Sequence, residues 1–161
     1  MKIGSTRRRE GAKERLERLM YGETLSPEIE RVASAIVHAL YRVHVRMGAG
    51  MLESVYEACV AHELRKAGFK VDRQKPCAII YDEIELDEGF RLDLLVNDCV
   101  IVEIKAVEKI MPVHQAQLKT YLRLTGLELG ILVNFNVPLI KDGVQRIILS
   151  ANKQSNTGTA F

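Results

Sequence analysis

The sequence is short of cysteine, of uncharged apolar runs and of net charge, and each shortage argues against a class of protein. Its three cysteines, Cys59, Cys77 and Cys99, form no CxxC pair, and no pair of histidines lies close by. This spacing disfavours a disulfide scaffold or a zinc site. No segment approaches the roughly 18 uncharged residues of a membrane span or the apolar core of a signal peptide. We therefore expect a soluble, cytoplasmic protein that does not contact a membrane.

The charge of the chain is nearly balanced but unevenly distributed. Its 161 residues carry a formal net charge of +2, whereas a domain that binds nucleic acid through charge is strongly basic. The first 20 residues hold seven basic and three acidic side chains, so the remainder is slightly acidic. We interpret residues 1–26 as a basic flexible extension, residues 27–150 as one folded domain and residues 151–161 as a disordered tail.

Two segments in the first half of the chain have the apolar period of a helix. Over residues 27–47 apolar side chains recur at spacings of three and four, with Ser26 as N-cap and a proline in the first helical position. Gly48 and Gly50 interrupt the pattern, and a second stripe follows over residues 50–67. The sequence therefore predicts two helices joined by a glycine hinge.

Beyond residue 68 the apolar period shortens to about two, which indicates strands. Pro76 and an acidic turn separate the first three of them. The predicted elements of this half are, in order, strands 70–74, 77–81 and 84–88, a hairpin over 89–107, a helix over 112–125, and strands 129–135 and 144–149.

The hairpin over residues 89–107 is the most informative stretch. One face of its first strand carries four apolar side chains, Phe90, Leu92, Leu94 and Val96. The apolar sets of the two strands meet only if Val96 lies opposite Val100, because a slip of one residue turns every side chain to the other face. This register predicts a three-residue turn at 97–99.

The same register places Asp93 across from Glu103, with Lys105 on the same face. Carboxylates about 5 Å apart at Cβ repel each other, and Mg²⁺, which prefers one or two carboxylates plus waters, would compensate. Lys105 would then stabilise a developing oxyanion or orient the attacking water. The alternative is an exposed polar edge neutralised by its own lysine. Against that alternative, both charges interrupt an apolar segment over residues 100–107, and unpaired buried charge is costly.

Four elements carry chemically useful residues in a fixed order: Glu53 on a helix, Asp93 on one strand, Glu103-Ile104-Lys105 on the next, and Gln117-x-x-x-Tyr121 on a later helix. This order resembles the PD-(D/E)XK nuclease superfamily. Within it, the segments GMLESVY, FRLDLLV, VEIKAVEK, HQAQLKTYL and NFNVPLIKDG resemble the GxxExxY family of small prokaryotic proteins. The resemblance covers about residues 28–149. The chain departs from the motif at Leu92, where the superfamily has a proline before the aspartate.

The resemblance implies an α/β fold with a restriction-endonuclease-like αβββαβ core. A mixed central sheet would be flanked by helices and preceded by one extra N-terminal helix. The order of elements deduced from periodicity agrees with this core, with helix 50–67 as its first member.

The resemblance also implies roles for individual residues. Asp93 and Glu103 would bind the metal together with the main-chain carbonyl of Ile104, and Lys105 would be the catalytic lysine. Glu53 would add to the metal site, although an acid in the first turn of a helix is equally explained by the helix dipole.

Three further residues are candidates for contact with substrate. Gln117 and Tyr121 lie four apart on one helix face and would position the site or the strand, although core packing also explains Tyr121. Arg91 would contact phosphate, or pair with Asp93 or Glu103.

The resulting hypothesis is a Mg²⁺-dependent nuclease that acts on nucleic acid, on DNA rather than RNA, with Mn²⁺ able to replace Mg²⁺. The alternative is a non-catalytic module that keeps the fold to bind nucleic acid or a protein. A structural domain with neither property remains the third possibility. The sequence leaves open a homodimer or an unknown protein partner.

Overall fold

The computed structural model describes residues 25–86 and 89–149. The predicted tail, residues 151–161, and the predicted extension up to residue 24 lie outside the described residues. The helices within the described ranges are α1 (Pro27–Met47), α2 (Glu53–Lys66) and α3 (Pro112–Thr125), with a 3-10 turn at Ile140–Asp142. The strands are β1 (Val71–Pro76), β2 (Ile79–Tyr81), β3 (Ile84–Leu86), β4 (Arg91–Val96), β5 (Val100–Lys105), β6 (Leu129–Asn134) and β7 (Val144–Ile148).

Helix α1 begins and ends where the sequence predicts. Ser26 Oγ accepts a hydrogen bond from Ile29 N at 3.3 Å, which satisfies one of the free N–H groups of the first turn. At the other end Gly48 has a φ of +66°, a conformation that glycine adopts without strain, and its N–H donates to His44 O. Among the described residues, no helix is both long and apolar enough to cross a membrane.

The five-stranded sheet has the order β1-β4-β5-β6-β7, and β5 pairs parallel to β6 while the other pairs are antiparallel. The predicted αβββαβ order is confirmed by α2, β1, β4, β5, α3 and β6. Segments β2 and β3 are not part of this sheet but pair with each other as a separate hairpin. Pro76 is the last residue of β1 and β2 begins at Ile79, so the break between these two strands follows Pro76, as the sequence predicts. An edge strand tolerates a proline because its outer N–H faces no neighbour.

The predicted register of the β4–β5 hairpin is confirmed by the pairs Val96↔Val100 and Leu94↔Val102. The ladder ends at the pair Leu94↔Val102, so Asp93 and Glu103, which the register predicts to lie opposite each other, are not paired. The expectation that Leu92 shares a face with Leu94 is wrong, because Leu92 packs with Leu95 on the opposite side of the sheet. The side chains of β4 do not alternate regularly between the two faces of the sheet here, because Asp93 is left out of both the β1–β4 and the β4–β5 ladders.

Two apolar clusters cover the two faces of the sheet. One lies under α1 and α2, and its buried sheet residues include Leu94, Val102, Ile104, Ile131 and Val133. The other lies under α3, and its members are Leu92, Leu95, Ile101, Leu118, Tyr121, Leu122 and Leu132. The sheet is therefore buried on both sides, and residues at the ends of its central strands are placed by packing from both faces.

Gly130 provides a test of how closely α3 packs on β6. A Cβ at this position would lie 2.7 Å from Leu118 Cδ1, which is too close for two carbon atoms. We expect Gly130→Ala to lower the free energy of unfolding by about 1–3 kcal/mol, measured by urea denaturation. The double variant Gly130→Ala/Leu118→Ala is the control. It should be more stable than the sum of the single effects predicts, and strict additivity would contradict the proposed contact.

Candidate active site

The last residues of β5 bring an acid and a base together inside the protein. Glu103 is 2% exposed, and its Oε1 accepts a hydrogen bond from Lys105 Nζ at 2.8 Å. The side chain of Lys105 is only 14% exposed. The two groups therefore form a buried ion pair at the end of a central strand.

The second oxygen of Glu103 has no hydrogen-bond partner in the described part of the chain. Burial, and then the negative charge of Asp93, raise the pKa of Glu103 from 4.5 to about 7, against the opposing effect of Lys105. A buried carboxylate oxygen without a partner carries a desolvation cost that native structures rarely leave uncompensated. The missing partner of Glu103 Oε2 is therefore the main chemical feature of this site.

Asp93 lies beside this pair and is held at both of its oxygens. Its Oδ2 accepts from Ile104 N at 2.8 Å, and its Oδ1 accepts from Gln74 Nε2 at 3.2 Å. Burial raises the pKa of Asp93, an effect that the hydrogen bond from Ile104 N and the charge of Lys105 oppose. A partly buried acid with a raised pKa is the electrostatic setting in which a cation binds favourably.

Glu53 reaches the same strand from the first turn of α2. Its Oε1 accepts a hydrogen bond from Ala106 N at 3.1 Å. The loop before α2 is fixed by Tyr56, whose hydroxyl donates to Gly48 O at 2.6 Å and accepts from Met51 N at 3.1 Å. Glu53 therefore has a structural contact in addition to its proposed role at the metal.

The ammonium group of Lys105 is stabilised in its charged form. Burial opposes the charge, but the hydrogen bond to Glu103 and the charges of Glu103, Asp93 and Glu53 outweigh it and raise the pKa of Lys105. A lysine in this environment does not accept a proton near neutral pH. Its chemistry is therefore that of a fixed positive charge and a hydrogen-bond donor.

Gln117 and Tyr121 are joined on one face of α3, as their spacing predicts. Gln117 Nε2 donates to the Tyr121 hydroxyl at 3.0 Å. The Tyr121 ring is buried and packs edge-to-face on Phe90, so its core role is also present. Burial raises the pKa of Tyr121 above its usual value, and the nearby charges of Glu103 and Asp93 act in the same direction. The Tyr121 hydroxyl therefore stays protonated and lies near the acids.

Arg91 lies at the rim of the site. Its guanidinium donates to the main-chain oxygen of Gln74 at 3.4 Å. In the described ranges it forms no ion pair with Asp93 or Glu103, so the structure does not support the second of the two alternatives for this residue. Its exposed position leaves the guanidinium open to solvent.

Three further residues of the site are not predicted from the sequence. Glu57 is buried and follows Glu53 by one helical turn, a spacing that identifies a shared face of α2. Asn134 is buried at the end of β6, and its side chain bonds both Val107 N and Val107 O, which fixes the chain just beyond Lys105. No sequence pattern identifies Gln74, because its contacts depend on the positive φ that the backbone adopts at this residue.

The carboxylates of Asp93 and Glu103 are the possible ligands of a divalent cation at this site. In residues 25–86 and 89–149, no three His, Cys, Asp or Glu side chains are clustered closely enough to hold a metal ion by themselves. Mg²⁺ nevertheless binds through one or two carboxylates, with waters and phosphates completing its shell. Asp93 and the unpartnered oxygen of Glu103 supply that pair, so these residues fit Mg²⁺.

Comparison of the chain with models of protein families matches residues 30–147 to a family described as the PD-(D/E)XK nuclease superfamily. The match covers more than half of the chain. The comparisons with curated proteins and with solved structures each find no significant match.

The raised pKa of Glu103 predicts a pH-dependent stability of the metal-free protein. Its folded-state pKa of about 7 lies above the ordinary 4.5. The folded protein therefore binds more protons than the unfolded chain between these values, and stability falls as the pH rises through them. Relative to Glu103→Gln, which lacks this titration, we expect the wild-type protein to lose about 3 kcal/mol of stability between pH 4.5 and pH 8.

Urea denaturation in the presence of a chelator measures this difference across the pH range. Most of this loss should fall between pH 4.5 and 7, and below pH 4.5 the difference in stability between the two proteins should no longer change with pH. The matched control is Glu108→Gln, an exposed acid five residues further along the chain, which should leave the pH profile unchanged. A variant whose profile parallels the wild type at every pH would contradict the assignment to Glu103.

Proposed function

We propose, since the chain belongs to the PD-(D/E)XK nuclease superfamily, that it is a Mg²⁺-dependent nuclease that hydrolyses phosphodiester bonds, in DNA rather than RNA. The observation that carries the proposal is the unpartnered Oε2 of Glu103. This oxygen is buried beside Asp93, and the other oxygen of the same carboxylate pairs with Lys105. A site that is only structural gains nothing from leaving this buried oxygen without a hydrogen-bond partner.

In this proposal Asp93 and Glu103 hold the metal ion, and the carbonyl of Ile104 and the carboxylate of Glu53 complete the protein ligands. When bound, the ion would polarise the scissile phosphate and lower the pKa of a coordinated water. Asp93 is kept in place by Ile104 N, and Glu53 by Ala106 N. Attack of water forms one P–O bond as the bond to the leaving oxygen breaks; the attacking water gives up a proton to solvent, and the leaving oxygen takes up a proton from solvent.

Lys105 stabilises the negative charge that develops on the phosphoryl oxygens during this attack. Its raised pKa keeps it protonated, so it acts as a fixed cation and hydrogen-bond donor and does not remove a proton from the water. Its hydrogen bond to Glu103 orients the ammonium group before substrate arrives. This preorganisation lowers the cost of reaching the transition state.

Gln117, Tyr121 and Arg91 bind the nucleic acid in this proposal. Gln117 donates to the Tyr121 oxygen, so the hydroxyl proton of Tyr121 remains free to donate to a phosphate. Arg91 is exposed at the rim, where a guanidinium can form two hydrogen bonds with a phosphate of the strand.

Cleavage assays on single- and double-stranded DNA and RNA, with Mg²⁺ or Mn²⁺, test the function. We expect Lys105→Ala to lower the rate of cleavage by about 10²–10³-fold, because one preorganised cation is lost from the transition state. Lys109→Ala is the control, since Lys109 is an exposed lysine four residues further along the chain. This variant should cleave nucleic acid at the wild-type rate. Equal rates for Lys105→Ala and wild type, or no cleavage of any substrate, would refute the proposal.

A second candidate is the non-catalytic module, and one observation favours it. The carboxylates of Asp93 and Glu53 are both directed to main-chain N–H groups of the β5 strand and the residue beyond it. These contacts can serve the fold alone. Such a module would bind nucleic acid or a protein without a metal, and its binding of nucleic acid would weaken steeply with salt.

Calorimetric titration with Mn²⁺ separates the two candidates. We expect the wild-type protein to bind the ion and Asp93→Asn to lose detectable binding, because the variant keeps the size of the side chain but removes its charge. Asp98→Asn is the control, since Asp98 is an exposed acid in the hairpin turn that pairs with Lys70. No detectable binding of Mn²⁺ by the wild-type protein, together with salt-sensitive affinity for nucleic acid, would favour the module.

A further inference from the structure

Gln74 connects two carboxyl groups on different elements, Glu57 on α2 and Asp93 on β4. Its amide nitrogen donates to Glu57 Oε2 at 2.6 Å and to Asp93 Oδ1 at 3.2 Å. Glu57 is 5% exposed, and its other oxygen accepts from Arg73 Nε at 2.9 Å. Because its side chain is buried and Arg73 holds its other oxygen, Glu57 is a fixed anchor for Gln74.

The backbone of β1 is distorted where this contact forms. Successive side chains of a regular strand point to opposite faces, so Arg73 and Gln74 could not both reach Glu57. Gln74 has a φ of +49°, in the left-handed region that non-glycine residues rarely adopt. The β1–β4 ladder pairs Arg73 with Leu94 and Lys75 with Leu92 but omits Gln74. A strained conformation of this kind persists only where neighbouring contacts hold it, and it is typical of functional sites.

Asp93 is consequently held from both neighbouring strands. Gln74 of β1 bonds Oδ1, and Ile104 N of β5 bonds Oδ2. A single hydrogen bond would fix one oxygen and leave the carboxylate free to rotate, whereas two bonds to different oxygens fix its plane. The orientation of Asp93 thus depends on Gln74 as well as on Ile104.

We propose that Gln74 is a positioning residue, which is anchored by Glu57 and Arg73 and holds the Asp93 carboxylate in its functional orientation. This inference rests on the proposed function, in which Asp93 is a metal ligand. Gln74 touches neither substrate nor reacting atoms and acts only through Asp93. Residues that orient a metal ligand in this way typically change metal affinity or activity by about 10–100-fold when replaced.

Amide hydrogen exchange of the metal-free protein tests the contact whether or not the protein is an enzyme. Gln74→Gly removes the amide, and glycine accepts the positive φ without strain. Exchange of Ile104 N–H should become about tenfold faster, because its acceptor Asp93 is less constrained. The N–H of Val102, inside the β4–β5 ladder, should be unaffected. Asp93→Ala calibrates the probe by removing the acceptor.

Two further variants separate positioning from a general effect on the fold. Gln74→Asn also tolerates a left-handed backbone, but its shorter side chain cannot span both carboxylates, so it should behave as Gln74→Gly does. Asp82→Gly is the control, because Asp82 has a φ of +53° in an exposed turn and no contact with Asp93. It should leave the exchange of Ile104 N–H at the wild-type rate.

Mn²⁺ calorimetry and steady-state kinetics complete the test. In Gln74→Gly we expect the Mn²⁺ affinity and kcat each to fall about tenfold, with KM for nucleic acid unchanged. The proposal is overturned if Ile104 exchange is unaltered in both Gln74 variants. Faster exchange with wild-type Mn²⁺ affinity and kcat also overturns it. If the wild-type protein neither binds Mn²⁺ nor cleaves nucleic acid, the proposed function fails, and the exchange of Ile104 alone decides whether Gln74 holds Asp93.

Discussion

Burial of the Glu103 carboxylate is the constraint on which the rest of the site depends. A carboxylate out of water requires either a proton or compensating positive charge. Lys105 compensates one oxygen at 2.8 Å, and the other oxygen has no partner among the described residues. The charge of Asp93 makes the imbalance larger and raises the pKa of Glu103 further. Protonation of Glu103 or a divalent cation would relieve both the missing contact and the repulsion.

The candidate site lies where the β4–β5 ladder ends. Beyond Val102 the N–H groups of Ile104 and Ala106 have no strand partner on the β4 side, and main-chain N–H groups in a folded protein need acceptors. Asp93 and Glu53 supply those acceptors with their side chains. The end of the ladder thus brings two carboxylates to the strand that carries Glu103 and Lys105. The same contacts that satisfy the backbone gather the negative charge, which is why the fold and the proposed chemistry cannot be separated.

Periodicity predicted most of the fold because apolar spacing reports directly which side of an element is buried. The stripe over residues 27–47 gave the bounds of α1, and the register of the β4–β5 hairpin followed from matching apolar faces. The prediction failed at Leu92, because alternation assumes an uninterrupted ladder and both ladders of β4 omit Asp93. It also could not separate β2 and β3 from the main sheet, since pairing between strands is a long-range choice.

The order of the elements, the register of the hairpin and the closeness of Asp93, Glu103 and Lys105 follow from the amino-acid sequence, because they depend on local apolar period and on a short turn. The burial of Glu103 with one unpartnered oxygen follows only from the folded structure, because it is the sum of packing from α2, α3 and two neighbouring strands. The same holds for Gln74, whose left-handed backbone lets it join Glu57 to Asp93. A side chain that acts through a rare φ and a distant anchor has no period, so no spacing in the chain could indicate it.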